Sequence, residues 1–86
     1  MNSRHRKTLA AVFADPVNDN LEWRRIEALL RALGAEKVKG SGSAVTFFLN
    51  EKRADFHRPH PKREALRYRV KAVREFLEKA GIEREK

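Results

Sequence analysis

An α+β domain in the order helix, helix, strand, strand, strand, helix is the fold class this sequence predicts, on three observations. Apolar residues recur at helical spacing in residues 4–14, from near Asp19 to Leu33, and in residues 67–80. Between them, Val45, Phe47 and Leu49, and then Ala54 and Phe56, alternate with polar neighbours at the period of a strand. Glycine or proline stands at most of the changes of period.

The first helix carries Leu9, Val12 and Phe13 on one side and ends before Asp15-Pro16, because a residue preceding proline is pushed out of helical backbone. The second opens near Asp19, where Asp19 and Glu22 have capping-box spacing. Trp23, Ile26, Leu30 and Leu33 form its apolar stripe, Leu29 widens it, and Gly34 caps it. Ala35 to Lys39 reads as a weakly marked first strand, followed by a turn at Gly40-Ser41-Gly42-Ser43. A second turn at Asn50-Glu51-Lys52 sets Leu49 opposite Ala54, Phe47 opposite Phe56, and Thr46 across from an exposed His57. Pro59 and Pro61 then force the chain out of the sheet. Lys62 to Leu66 reads as a loop or irregular helical turn. In the last helix Val70, Val73, Leu77 and Ala80 face the core and Gly81 caps, while Arg67, Lys71 and Arg74 line the other side.

Length and composition bound the function. Eighty-six residues supply one core, so residues 1–86 are expected to form a single domain. No cysteine is present, which removes disulfides and thiolate metal sites. No apolar run approaches the roughly 18 residues of a membrane span, and the basic start lacks a signal peptide's apolar stretch, so a cytoplasmic protein is expected. Of the net charge of +8, residues 52–74 contribute +7, with nine basic side chains against Asp55 and Glu64. Such clustering suits a polyanion, because a bound phosphate backbone releases its counterions. A solvated basic face without a ligand is the other reading that charge alone leaves open.

From about Leu21 the chain resembles the HicA toxins, the small ribonuclease components of HicA–HicB toxin–antitoxin modules. Three places carry the resemblance. Leu30-Arg31-Ala32-Leu33-Gly34 leads into Lys39-Gly40-Ser41, a meander ends in Phe56-His57-Arg58-Pro59-His60-Pro61, and the last helix closes with Phe76-Leu77-Glu78-Lys79-Ala80-Gly81-Ile82. The resemblance implies a double-stranded-RNA-binding-domain-like fold over residues 21–82: a three-stranded antiparallel sheet with helices on one face. Residues 1–14 are then an additional helix. It also implies an endoribonuclease acting on mRNA and a HicB-like antitoxin that binds the toxin in a hetero-oligomer. Family members typically carry Gly-Ser-His at the start of the second strand, with that histidine catalytic. This chain has Gly40-Ser41-Gly42-Ser43, and glycine has no proton to transfer.

Cleavage of RNA by internal transfer needs a base, an acid and cations around the developing phosphorane. Histidine suits the first two roles, with an ordinary pKa of about 6.5. His57 and His60 are the candidates, and His60 occupies roughly the place of a family histidine that follows the third strand. Phosphate contact or a structural role is the alternative for each. His5 reads as incidental. Arg53, Arg58, Lys62, Arg63, Arg67, Lys71 and Arg74 are the candidate RNA contacts. Ser41 and Ser43 join them as hydroxyl donors on a glycine turn that is otherwise only a tight β-turn. No metal or other cofactor is expected, since two histidines lack a third ligand at suitable spacing. Trp23 and most phenylalanines belong to the core, whereas Phe48 points outward and can stack on a base or meet a partner. Two further function classes stand beside the toxin: a non-catalytic RNA-binding module, and an interaction protein whose basic face meets an acidic partner.

Overall fold

The computed structural model describes residues 1–17, 20–59, 63 and 65–83. Its elements are α1 (Ser3–Val12), α2 (Trp23–Ala32), β1 (Glu36–Lys39), β2 (Ala44–Leu49), β3 (Lys52–His57) and α3 (Arg67–Lys79). The strands form one antiparallel sheet in the order β1-β2-β3. The predicted class and element order are those observed.

α1 opens on Asn2, whose side-chain oxygen accepts the backbone N–H of His5 at 2.9 Å. It ends at Val12, two residues short of the expected limit. α2 begins at Trp23, later than the expected start near Asp19; Asp19 itself lies outside the described residues. The delay has a physical cause. Leu21 accepts the N–H of Ala65 at 2.7 Å, and Trp23 donates its N–H to the carbonyl of Arg63 at 3.0 Å. Backbone paired to another segment in this way is extended up to the N-cap, Glu22. At the far end Gly34, at φ +98°, lets Ala35 N–H reach the Leu30 carbonyl at 2.9 Å.

The sheet differs from expectation in register. Asn50 and Glu51 both have positive φ, 49° and 67°, and form a two-residue hairpin turn whose twist matches the strands. Lys52 is therefore the first residue of β3, and every pair shifts by two. Val45 faces Phe56, Phe47 faces Ala54, and His57 lies opposite Ala44, not Thr46. A shift of two preserves parity, so the inward set is unchanged: Val45, Phe47, Leu49 and Phe56 are buried, and His57 is exposed as predicted. The Asn50 amide also donates to the Ala80 carbonyl at 2.7 Å, tying the turn to the end of α3.

The helices cover the inward face of the sheet. Trp23 of α2 meets Phe56 at a ring-centroid distance of 5.5 Å, and Phe56 meets Phe47 edge-on at 6.3 Å. β1 brings no apolar side chain to its inward positions there; it brings Lys37, which pairs with Glu27 of α2 at 2.6 Å. The other oxygen of Glu27 accepts the indole N–H of Trp23, so a buried donor and a half-buried cation share one carboxylate.

α1 rests on α2 and α3 through Leu9 and Val12, both essentially inaccessible to solvent. Arg74 secures it. Its guanidinium donates to the carbonyl of Val12 at 2.9 Å and to that of Ala14 at 2.7 Å. Carbonyls at a helix C-terminus lack intrahelical donors, and a cation there also complements the helix dipole. Replacing Arg74 with alanine is expected to lower the unfolding free energy by about 1.5–3 kcal/mol. Arg74→Lys recovers only part, since an ammonium lacks the planar fork. Urea unfolding of the three proteins measures this, and an alanine variant with an unchanged midpoint would contradict it.

Candidate nucleic-acid interface

The β1–β2 turn and the exit of β3 meet at one end of the sheet. Gly40 N–H donates to the Ala44 carbonyl at 3.0 Å, and Ala44 N–H donates to the Ser41 carbonyl at 3.2 Å, closing the turn. Gly42 sits within it at φ +61°, a conformation that L side chains rarely adopt. Glycine therefore suits the backbone shape at this position. Arg58 N–H donates to the Ser43 carbonyl at 2.8 Å, extending the β2–β3 ladder by one rung. That rung brings Ser43 Oγ to 3.4 Å from His57 Nδ1. With Nδ1 turned to the serine, Nε2 is the nitrogen left for another group.

The candidate cations divide into two sets. Arg53 lies on the same outer face as His57, but its guanidinium is 3.3 Å from Asp55. The Thr46 hydroxyl donates to the same carboxylate oxygen. This hydrogen bond foremost holds the Asp55 carboxyl below the usual aspartate range; desolvation opposes it, and the hydrogen bond and charge of Arg53 add to the lowering. Arg74, half-buried, is engaged with α1, so the expected stripe of Arg67, Lys71 and Arg74 reaches solvent as Arg67 and Lys71 alone. The other set faces outward. Arg63, Arg67 and Lys71 are exposed, and Arg63 is held near the start of α2 by its backbone bond to Trp23. Arg58 is half-buried, and its Nε is enclosed without a hydrogen-bond partner among the described residues. Ser41 is exposed on the turn. His60 and Lys62 lie outside the described residues. Phe48 faces outward beside Val38, at 39% and 44% exposure, on the sheet face that carries no helix.

Two residues not among the sequence-predicted contacts complete this surface. Tyr68 and Arg69 of α3 border a cleft together with His57 and Asp55. The same two residues border a neighbouring groove with Pro59, Arg63 and Leu66. The available signal was positional: Tyr68 stands two residues before Val70 and so lies off the buried stripe of α3.

An antiparallel meander backed by helices, with basic groups at one end, defines a small α+β domain. Residues 23–82 match the family model described as the HicA toxin of bacterial toxin–antitoxin systems. The chain belongs to that family. The match runs from the first residue of α2 to just beyond the cap of α3, leaving α1 outside it. A search of curated proteins finds no match, and a search of solved structures finds none either. No helix among the described residues is long and apolar enough to cross a membrane.

Because Asp55 titrates lower in the folded chain than in the unfolded one, its contribution to stability is present at neutral pH and fades as the pH falls below the ordinary aspartate range. Thr46→Val removes the leading cause. The Asp55 carboxyl is expected to titrate at a higher pH in that variant, followed by carbon NMR of the side chain. An unmoved titration would show that Arg53 alone sets it.

Proposed function

We propose that this chain is the endoribonuclease toxin of a HicA–HicB-type module, cutting messenger RNA in the cytoplasm and held inactive by a HicB-like antitoxin. Family membership supports the toxin role. The observation that carries the ribonuclease reading is His57, exposed at the sheet end, with Ser43 against Nδ1 and arginines on the neighbouring surface. In this reading Nε2 of His57 exchanges a proton with the ribose 2′-hydroxyl or the leaving 5′-oxygen, and His60 serves the other oxygen. Arg58 and Arg63 stabilise the phosphorane charge, Arg67 and Lys71 hold the flanking phosphates, and Ser41 and Ser43 donate to phosphate oxygens. The chemistry needs no metal. The antitoxin, in the same reading, covers this basic surface in a hetero-oligomer.

Gly42 favours a second reading. A chain with glycine at the position of the family's catalytic histidine binds RNA through the same cations without cutting it.

Purified protein is expected to cleave single-stranded RNA in the presence of a chelator. His57→Ala is expected to slow cleavage by about 10²- to 10⁴-fold, the usual contribution of a general acid or base. Salt-dependent binding with no product from the unaltered protein would favour the binding module. Binding itself carries a separate expectation. Arg63→Ala and Lys71→Ala should each reduce the slope of log affinity against log salt by about 0.7–1, with little dependence on RNA sequence. Slopes unchanged in both variants would remove these two residues from the phosphate path.

A further inference from the structure

The Tyr68–Arg69 pair has no part in the core and none in the chemistry assigned to His57. The buried stripe of α3 consists of Val70, Val73, Phe76 and Leu77, and Tyr68 lies away from it, 61% exposed. Leu66, two residues earlier, is 55% exposed. Arg69 is half-buried and brings its guanidinium carbon to 5.0 Å from the Tyr68 ring centroid, a distance at which a cation steadies an aromatic ring. Single exposed apolar side chains are ordinary on a protein surface. This one stands between two depressions: on one side the cleft that contains His57, on the other the groove bordered by Pro59, Arg63 and Leu66.

We infer that Tyr68 is a stacking platform for one unpaired base of RNA, seated in that groove, while Arg69 contacts the phosphate linking that nucleotide to the one at His57. The inference rests on the RNA reading above and makes it more specific. Charge selects the occupant. Arg63, Arg67 and Arg69 border the groove, and no acidic residue among the described ones lines it. Asp55 lines the His57 cleft on the other side of Tyr68, where Arg53 pairs with it. An aromatic face alternating with arginines suits a strand of stacked bases and phosphates. A duplex offers no base face to a side chain at its surface, so the surface discriminates by strandedness. Single-stranded RNA satisfies both Tyr68 and the arginines, whereas a duplex satisfies only the arginines.

The test uses the full chain and a 2′-O-methyl RNA oligonucleotide, which lacks the attacking hydroxyl, carrying 2-aminopurine as a fluorescent base. Unaltered protein is expected to quench the fluorophore on binding and to prefer the single strand to its duplex. Tyr68→Ala should weaken single-strand binding by roughly 5- to 150-fold and abolish the quenching, with duplex binding unchanged. Tyr68→Phe, which keeps the ring, should retain both. Circular dichroism melting checks that the variants are folded, and a fully folded Tyr68→Ala protein with undiminished binding and quenching overturns the inference while leaving the RNA reading intact. If no protein binds either form of RNA at low salt, both fall together. If Tyr68→Ala instead weakens binding of a polyglutamate peptide and leaves RNA binding untouched, the platform belongs to an acidic protein partner and the inference fails.

Discussion

Trp23 donates its backbone N–H to the Arg63 carbonyl while its indole packs on Phe56 and its ring N–H is taken by Glu27. One residue thereby ties the segment before α3, the third strand and, through the Glu27–Lys37 pair, the first strand. The neighbouring bond from Ala65 to Leu21 doubles the backbone tie. Together they decide where α3 begins. α3 then runs so that its first residues arrive beside the end of β3, where His57 stands. A buried indole needs a partner for its N–H, and the carboxylate that supplies one needs a cation in turn. The chain of obligations that starts in the core thus sets the geometry of a surface far from it in sequence.

A count of charges overstates the basic surface. Arg53 spends its charge on Asp55 and Arg74 spends its donors on α1. What faces outward near the sheet end is smaller and more local: Arg63 and Arg67, with Lys71 one turn further along α3 and Arg58 and Arg69 partly enclosed beside them. Arg53 is turned along its own strand to Asp55, and Arg74 toward α1. Electrostatic attraction is consequently concentrated where a histidine, a serine and a tyrosine already lie together.

The legibility of these features follows the range of the interactions behind them. Parity is local, so the inward and outward faces of β2 and β3 could be read directly, His57 included. Register is not, because a slide of two residues leaves every face unchanged. Asn50 signals a left-handed turn, but Glu51 at φ +67° does not, and the connection from Leu49 to its partner consequently reads two residues too long. β1 looks faint in sequence because its inward Lys37 finds its partner in α2. Arg74 reads as surface because its acceptors lie some sixty positions away. Tyr68 is visible as an aromatic off the helical stripe, but its neighbours across the cleft become known only once α3 is set against β3.

The bond from Arg74 to the end of α1 lies between a residue inside the family-matched span and a segment outside it. The clasp for the additional helix thus lies in the family-matched core, and to that clasp the helix end supplies only main-chain oxygens, which any sequence possesses. Such an attachment places few demands on the composition of the appended piece beyond its length and the apolar residues at Leu9 and Val12. In this chain the side chain at position 74 is thus the clasp by which the matched core holds a piece that lies outside it.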